Sequence, residues 1–529
     1  MTEGKSGLIK IRRALLSVSD KTNLIDLAKV LSNLAVEIIS TGGTQAELKK
    51  AGIKSISISS FTGFPEILGG RVKTLHPKVF GGVLAKRDDE EQKREITEQD
   101  FKYIDLVVVN LYPFGKVVSQ EDVKEEDAIE NIDIGGPSML RAAAKNYTSV
   151  AVAVNPKKYK EIIQELETND GSLSLETRLS LASEVFQHTA YYESMIANYF
   201  KGLFPAKEDE YPQYVTLGWE KAQSLRYGEN PHQKAAFYKD PAFKGASISR
   251  CEILSGKELS YNNINDLDAA LAMLEDFRER PFAVILKHTN PCGAACAESL
   301  VRAYEDALAC DPVSAFGCII GVNQVVDMET AKKIHDTFFV ECVLAPGYKP
   351  EAVELLKKKK NRRFLACPDL LNFHKSKENM VSVIKGGALL QTPDHHEIKE
   401  SDLKVVTKVA PTAEQIESLL FAWRMVKHVK SNAILLAQGE KTVGTGAGQM
   451  SRVDASKIAV MKAGDKAKGS VLASDAFFPM RDGVDAAAEA GVKAIIQPGG
   501  SKGDPEVILA ANEHKIAMVF TGIRHFRHS

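Results

Sequence analysis

The feature that most constrains this chain is the regular exchange of short apolar runs with amphipathic stretches through its N-terminal third. RRALLSVS reads as a strand and TNLIDLAKVLSNLA as an amphipathic helix; VEIIS, TQAELKKAG and IKSISIS repeat the pattern. IDLVVVNLYPF and SVAVAV follow as buried-type runs. Strands this apolar must be covered on both faces, and parallel neighbours need a helical crossover between them. The expected fold class is therefore α/β, with a parallel sheet between helical layers. LETRLSLASEVFQHTAYYESMIANYFKGL reads as one long helix closing this region. The Pro- and acid-rich FPAKEDEYPQY then marks a boundary: a first domain at 1–205, a linker at 206–216 and a second domain at 217–529. Beyond it FAVIL, CIIGV, AILLAQ, AIIQ and AMVF continue the alternation, in a stretch long enough for two packed subdomains. No sequence repeat proves a duplication.

Composition narrows the function classes. Hydrophobic content of 44% and charged content of 26% are those of a soluble globular protein. A net charge of −1 supplies no overall basic field for nucleic acid. LLKKKKNRRF is the most basic stretch and reads as a solvated face. No apolar run reaches the ~18 residues of a transmembrane helix. The start, MTEGKSGLIKIRRALLSVSD, has too short an apolar stretch for a signal peptide, so a cytoplasmic location without a membrane partner is expected. The seven cysteines all fall between Cys251 and Cys367, an odd, clustered set that makes a poor disulfide framework.

In the first domain two strand-to-helix loops look alike. ALLSVS leads to Asp20-Lys21-Thr22, and VEIIS to Thr41-Gly42-Gly43-Thr44. Small and hydroxyl residues there leave backbone N–H groups for an anion, with the helix N-terminus adding positive potential; plain N-capping is the alternative. GGRVKTLHPKVFGG sets Arg71, Lys73, His76 and Lys78 between glycine pairs, which suggests a shaped phosphate- or carboxamide-binding loop. NIDIGGPSMLRAAAKN reads as a turn and a helix, with Asp133 before it and Lys145 about two turns in. NLYPF puts Tyr112 at the end of a buried strand, or in a Pro turn.

In the second domain FAVILKHTNPCGAAC can be read two ways. A zinc site would take His288, Cys292 and Cys296. Deaminase-type sites use H-x-E with P-C-x-x-C; here the cysteines are C-x₃-C and Asn290 stands where the Glu belongs, so no metal is expected. Alternatively, a buried strand ends at Leu286 and Lys287 and His288 emerge at the sheet edge. A neighbouring ammonium keeps the imidazole neutral, ready as a base near pH 7. Adjacent strand residues point oppositely, so both reach one ligand only if the chain bends; the following Asn-Pro is expected to supply that bend. VGTGAGQMSR lacks the dinucleotide-binding spacing, and SDAFFPMRDGVD is either an aromatic platform or a core corner.

SVSDK, STGGT, TGFPE, GGRVKTLHPKV, NLYPF, IDIGG and AAAKN occur in that order, followed by RYGENPHQ, KHTNPCG, SAFG, KSNAI, GAGQMSR, SDAFFP and PGGS. Through these motifs nearly the whole chain resembles the bifunctional purine biosynthesis proteins that join IMP cyclohydrolase to AICAR formyltransferase (AICAR is aminoimidazole carboxamide ribonucleotide). The resemblance implies a first domain like methylglyoxal synthase and a second made of two cytidine-deaminase-like α/β subdomains without zinc. It implies formyl transfer from 10-formyltetrahydrofolate, a co-substrate, to AICAR, then dehydrative closure to IMP, in a homodimer. A zinc-dependent deaminase and an inactive nucleotide-binding scaffold are the alternatives.

The resemblance also implies roles. His288 is the base for the AICAR amine, Lys287 stabilises developing charge, and Asn432 orients the reacting groups. Arg226, Tyr227, Gly317, Phe477 and Arg524, with Asn263, match positions that hold the nucleotide. Arg452, Asp482 and Ser501 match positions near the folate. Glu341 belongs to the same substrate-binding set and stands where some relatives carry Asp; Met480 replaces an aromatic and is left unassigned. For the cyclohydrolase, Lys73, Tyr112, Asp133 and Lys145 match the catalytic positions. Ser19, Lys21, Thr41, Gly42, Gly43, Thr44, Arg71, Thr74, Asn110 and Ile134 match its nucleotide site.

Overall fold

The computed structural model describes residues 7–120, 122–204, 211–372, 376 and 378–528; residues 206–210 of the expected linker lie outside the described residues. The chain divides into two compact units, one within Met1–Glu220 together with Lys239–Phe243, the other formed by Lys221–Tyr238 and Lys244–Ser529.

The first unit is built on a five-stranded, all-parallel sheet. Its order is Ile56–Ser57, Glu37–Ser40, Arg13–Val18, Leu106–Asn110, Ala151–Ala153. Strand alternation divides the apolar runs between two cores. Leu15, Val107 and Val109 pack with Val79, Leu140 and Val185, while Leu16, Leu106 and Val108 pack with Leu27, Leu31 and Ile162. The order reverses between Arg13–Val18 and Leu106–Asn110, and at such a point the carboxyl ends of neighbouring strands open a crevice. IKSISIS gives only a two-residue strand, because the Ser57 hydroxyl accepts the Ser60 N–H at 3.0 Å and starts the Ile58–Thr62 helix. The long helix spans Leu175–Leu203, as its periodicity predicts.

The second unit carries one twelve-stranded sheet with a repeated plan. Helix Tyr261–Asp276 precedes the hairpin Phe282–Lys287/Asn290–Cys296, and helix Ala413–Val426 precedes the hairpin Ile434–Gln438/Lys441–Gly446. Each hairpin is followed by a helix and three further strands, the last two added in parallel. The halves meet edge to edge where Ala295 pairs with Lys441. On one sheet face Leu286, Leu435 and Trp423 share a single core; on the other, Ile285 and Leu436 belong to separate cores. The two subdomains expected from the sequence are thus halves of one sheet, and the duplication exists in topology without a legible sequence repeat.

The same packing device serves both halves. A Cβ on Gly293 would overlap the Ala307 carbonyl oxygen, and one on Gly446 the Ala455 carbonyl oxygen, so each returning strand sits directly on the following helix. Gly446→Ala is expected to cost about 1–3 kcal/mol or more by overpacking, read as a lowered midpoint of chemical denaturation. Among the described residues no helix is long and apolar enough to cross a membrane.

Candidate active site

At the crevice of the first unit the Asn110 side chain ties two strand ends together. Its Oδ1 accepts the Ser19 N–H at 2.7 Å and the Asp20 N–H at 2.8 Å, and its Nδ2 donates to the Asp20 carbonyl at 3.2 Å. The Ser19 hydroxyl donates to the Leu111 carbonyl at 2.6 Å. This corrects the reading of two equivalent anion loops: the Ser19 and Asp20 amides are occupied by Asn110, and the next helix starts only at Leu24.

The second loop keeps the anion-binding form. Helix Gly42–Lys50 has Thr41 at its N-cap without a side-chain cap, because the Thr41 hydroxyl lies 2.8 Å from the Ser17 hydroxyl instead. Gly42 and Gly43 are exposed, with no atom within 4 Å of a Cβ built on either. Thr44 is buried, its hydroxyl locked to the Val18 backbone, and Lys21 reaches both the Val18 carbonyl and Thr44 Oγ1. Burial lowers the Lys21 pKa. Free amides, an uncapped helix and one ammonium form a cradle for a phosphate-sized anion.

Asp133, Tyr112, Lys73 and Thr74 converge. The Asp133 carboxylate accepts the Gly136 N–H at 2.8 Å and faces the Tyr112 N–H and the Lys73 ammonium. Burial pushes its pKa up, against those three partners. Gly135 and Gly136 allow this approach: a Cβ on Gly135 would lie 2.7 Å from Thr74 Oγ1, and one on Gly136 would overlap Asp133 Oδ2. Tyr192, which sequence reading missed, accepts the Asp133 N–H on its hydroxyl at 2.8 Å and donates that hydroxyl to the Asn131 carbonyl at 3.2 Å. Ile134 is exposed beside Asp133, and Arg71 is exposed and ion-paired with Glu130. Lys145 is the last residue of helix Gly135–Lys145, three turns in rather than two, and exposed. Among the described residues no hydrogen bond or ion pair joins it to Lys73, Tyr112 or Asp133. Only the first glycine pair of GGRVKTLHPKVFGG shapes a loop. Gly81 and Gly82 lie inside helix Pro77–Leu84, packed against Phe101 and the Lys102 carbonyl.

In the second unit KHTN is a two-residue hairpin. Lys287 pairs with Asn290, and His288 and Thr289 between them have φ of 51° and 62°. The bend therefore lies at His288 itself, not at Asn-Pro, which belongs to the returning strand. Two consecutive positive φ values match the right-handed strand twist, the reason such turns join hairpins. Lys287 Nζ donates to the carbonyls of Phe316 at 2.8 Å and Gly317 at 3.2 Å. Gly317 has φ of 69°, and a Cβ there would lie 3.2 Å from that Nζ.

A bulge in the returning strand separates the two cysteines. Cys292 packs into one face's core and Cys296 against the other's. Burial raises both thiols, Cys296 to about 12. Sulfurs on opposite sheet faces cannot share a zinc ion with His288.

The matching segment of the second half lies alongside. The Lys430 N–H donates to Asn290 Oδ1 at 3.1 Å, so KHTN and KSNAI adjoin. Asn432 donates to the Gln449 carbonyl at 2.9 Å and accepts from Arg452 Nη2 at 2.8 Å. Arg452 is itself buried, bound to the Ala433 carbonyl and ion-paired with fully buried Asp475. Its guanidinium thus faces Asn432, not an open surface. Asn263 is also buried: it completes a capping box with Ser260 and donates to Glu341 Oε2 at 2.9 Å. Arg226 lies over the Tyr227 ring and Arg524 over Phe526; Phe477 is exposed, and Asp482 and Ser501 accept nearby backbone N–H groups. Among the described residues no hydrogen bond, ion pair or ring contact links these six to Lys287 or His288.

Sequence reading also missed Asp266 and Asp475. Asp266 stands three residues after Asn263, hence on one helix face with it, a spacing that could have found it. Asp475 lay unassigned in SDAFFP.

The AICARFT/IMPCHase bienzyme family matches residues 143–462, and the MGS-like domain family matches residues 23–138. The chain is 53% identical over 517 residues to the bifunctional purine biosynthesis protein PurH of Halalkalibacterium halodurans, covering 98% of this chain and 100% of that one. It is 52% identical over 517 residues to PurH of Thermoanaerobacter sp. and 50% identical over 518 residues to PurH of Bacillus subtilis, with the same coverages. With identity sustained along nearly all of its length, the chain belongs to the AICARFT/IMPCHase bienzyme family, which pairs AICAR formyltransferase with IMP cyclohydrolase in purine biosynthesis.

Proposed function

We propose that the two activities are divided between the two units, with cyclisation in the first and formyl transfer in the second. The observation that carries this reading is the two-residue turn that presents His288 beside Lys287 and next to the Asn432 segment. The AICAR amine is a weak nucleophile, because its lone pair is delocalised into the ring and toward the carboxamide. As it attacks the formyl carbon of 10-formyltetrahydrofolate, His288 takes the amine proton. Lys287 stabilises the charge developing on the formyl oxygen, and Asn432 orients the reacting groups. The C–N bond to the folate then breaks, and its nitrogen takes a proton as tetrahydrofolate leaves. Arg226, Tyr227, Gly317, Phe477 and Arg524 hold the nucleotide, and Asp482 and Ser501 lie near the folate.

In the first unit the carboxamide nitrogen attacks the formyl carbonyl of the same molecule, and water leaves. Folding the substrate so that these atoms meet is mainly a proximity effect. The cradle of Gly42, Gly43, Thr44 and Lys21 takes the 5′-phosphate. Lys73 and Asp133 polarise and orient the carbonyl and amide, Tyr112 borders them, and Lys145 carries protons. The enzyme acts as a cytoplasmic homodimer.

The test follows both products from AICAR and 10-formyltetrahydrofolate. Lys145→Ala is expected to let formyl-AICAR accumulate while IMP formation falls by about 10²-fold or more. Unchanged IMP formation would remove Lys145 from the mechanism.

A further inference from the structure

Asp266 sits on helix Tyr261–Asp276, whose first turn is fixed by the Ser260–Asn263 capping box. Its Oδ1 accepts the Thr289 N–H at 2.6 Å. His288 and Thr289 both occupy the left-handed region; His is among the residues that visit it, but Thr is β-branched and an outlier there. Thr289 is thus the residue that disfavours this turn, and a bond from outside to its backbone supports it. The bonds from Thr289 Oγ1 and Asn290 Nδ2 to the His288 carbonyl are internal to the turn, while the Lys430 N–H to Asn290 Oδ1 and Lys287 Nζ to the Phe316 carbonyl tie down its two flanks. The bond to Asp266 ties it to the helical layer.

We propose that Asp266 is a positioning residue of the formyltransferase: it clamps the Thr289 amide, holds the left-handed turn, and thereby fixes the direction of the His288 imidazole. The inference rests on the reading of His288 as the base. Charge adds to geometry. Lys287 and His288 face Asp266 from the turn and Glu341 from strand Val340–Ala345, and Glu341 is held by Asn263 and by Arg363 at 3.8 Å. Burial raises the Asp266 pKa, while Thr289, His288 and Lys287 pull it down.

Asp266→Asn keeps an acceptor for Thr289 and removes the charge; Asp266→Ala removes both. For Asp266→Ala, kcat of formyl transfer is expected to fall at least about tenfold, with KM for AICAR within about twofold. For Asp266→Asn, kcat at its optimum is expected within about threefold of the parent. Its KM for AICAR should also stay within about twofold, so that the Asn side chain restores what Ala loses. Cyclisation of supplied formyl-AICAR should be unchanged in both, which reports a folded chain. Parental kcat in both variants, beside an inactive His288→Ala, would overturn the role of Asp266 and leave His288 in place. Equal losses in Asn and Ala would also overturn it. An active His288→Ala would instead overturn the base assignment itself.

Discussion

His288→Ala is expected to lower formyl transfer by about 10²–10⁴-fold, the range of a positioned general base, while closure of supplied formyl-AICAR to IMP proceeds at the parental rate. The imidazole is exposed at a turn and not part of a core, so its removal leaves no cavity. The turn is held through backbone and neighbouring side chains, the Asp266–Thr289 bond among them, none of which uses the imidazole. The loss should therefore fall on kcat more than on folding. Loss of both activities in a folded protein would sink the division into two sites. Full retention of formyl transfer would mean that the amine finds its base elsewhere.

The second large effect is expected at Asp475. Its Oδ1 accepts from Arg452 and from the Ala433 N–H at 3.1 Å, and its Oδ2 accepts from Ser431. Both ionic side chains are buried, Asp475 fully. Asp475→Ala leaves the Arg452 guanidinium buried without a counter-charge, which costs about 3–5 kcal/mol. The guanidinium is also the partner of Asn432 Oδ1, so its displacement should misalign Asn432 and depress formyl transfer in whatever folded fraction remains. Denaturant titration followed in the second unit, with the transferase rate measured well below the midpoint, separates the two effects. A variant with parental midpoint and parental rate would show that neither the pair nor its hold on Asn432 matters.

Much of the site was legible because strand ends announce themselves. The apolar runs in RRALLSVS, VEIIS, IDLVVVNLYPF and FAVIL are local patterns, and the structure ends strands within or next to them, at Val18, Ser40, Asn110 and Lys287. What the local sequence does not contain is the distant partner of each polar or small residue. The amide of Asp20 reads as a free loop donor, but Asn110, about ninety residues away in sequence, accepts from it and from Ser19. Arg452, which the resemblance places near the folate, is enclosed by Asp475 and Asn432, partners that its own segment does not name. Gly81 and Gly82 looked like a loop until Phe101 and Lys102 were seen against them.

By itself, then, the sequence determined the α/β class and the approximate strand ends, because periodicity is a property of neighbouring residues, and its ordered motifs carried the family resemblance. Only the tertiary structure decided that two unlike sequences form matching halves of one sheet, that a bulge sends Cys292 and Cys296 to opposite faces, and that Asp266 holds the turn on which His288 stands. A buried polar group must find its partner wherever the fold supplies one, and nothing in the local sequence names that partner.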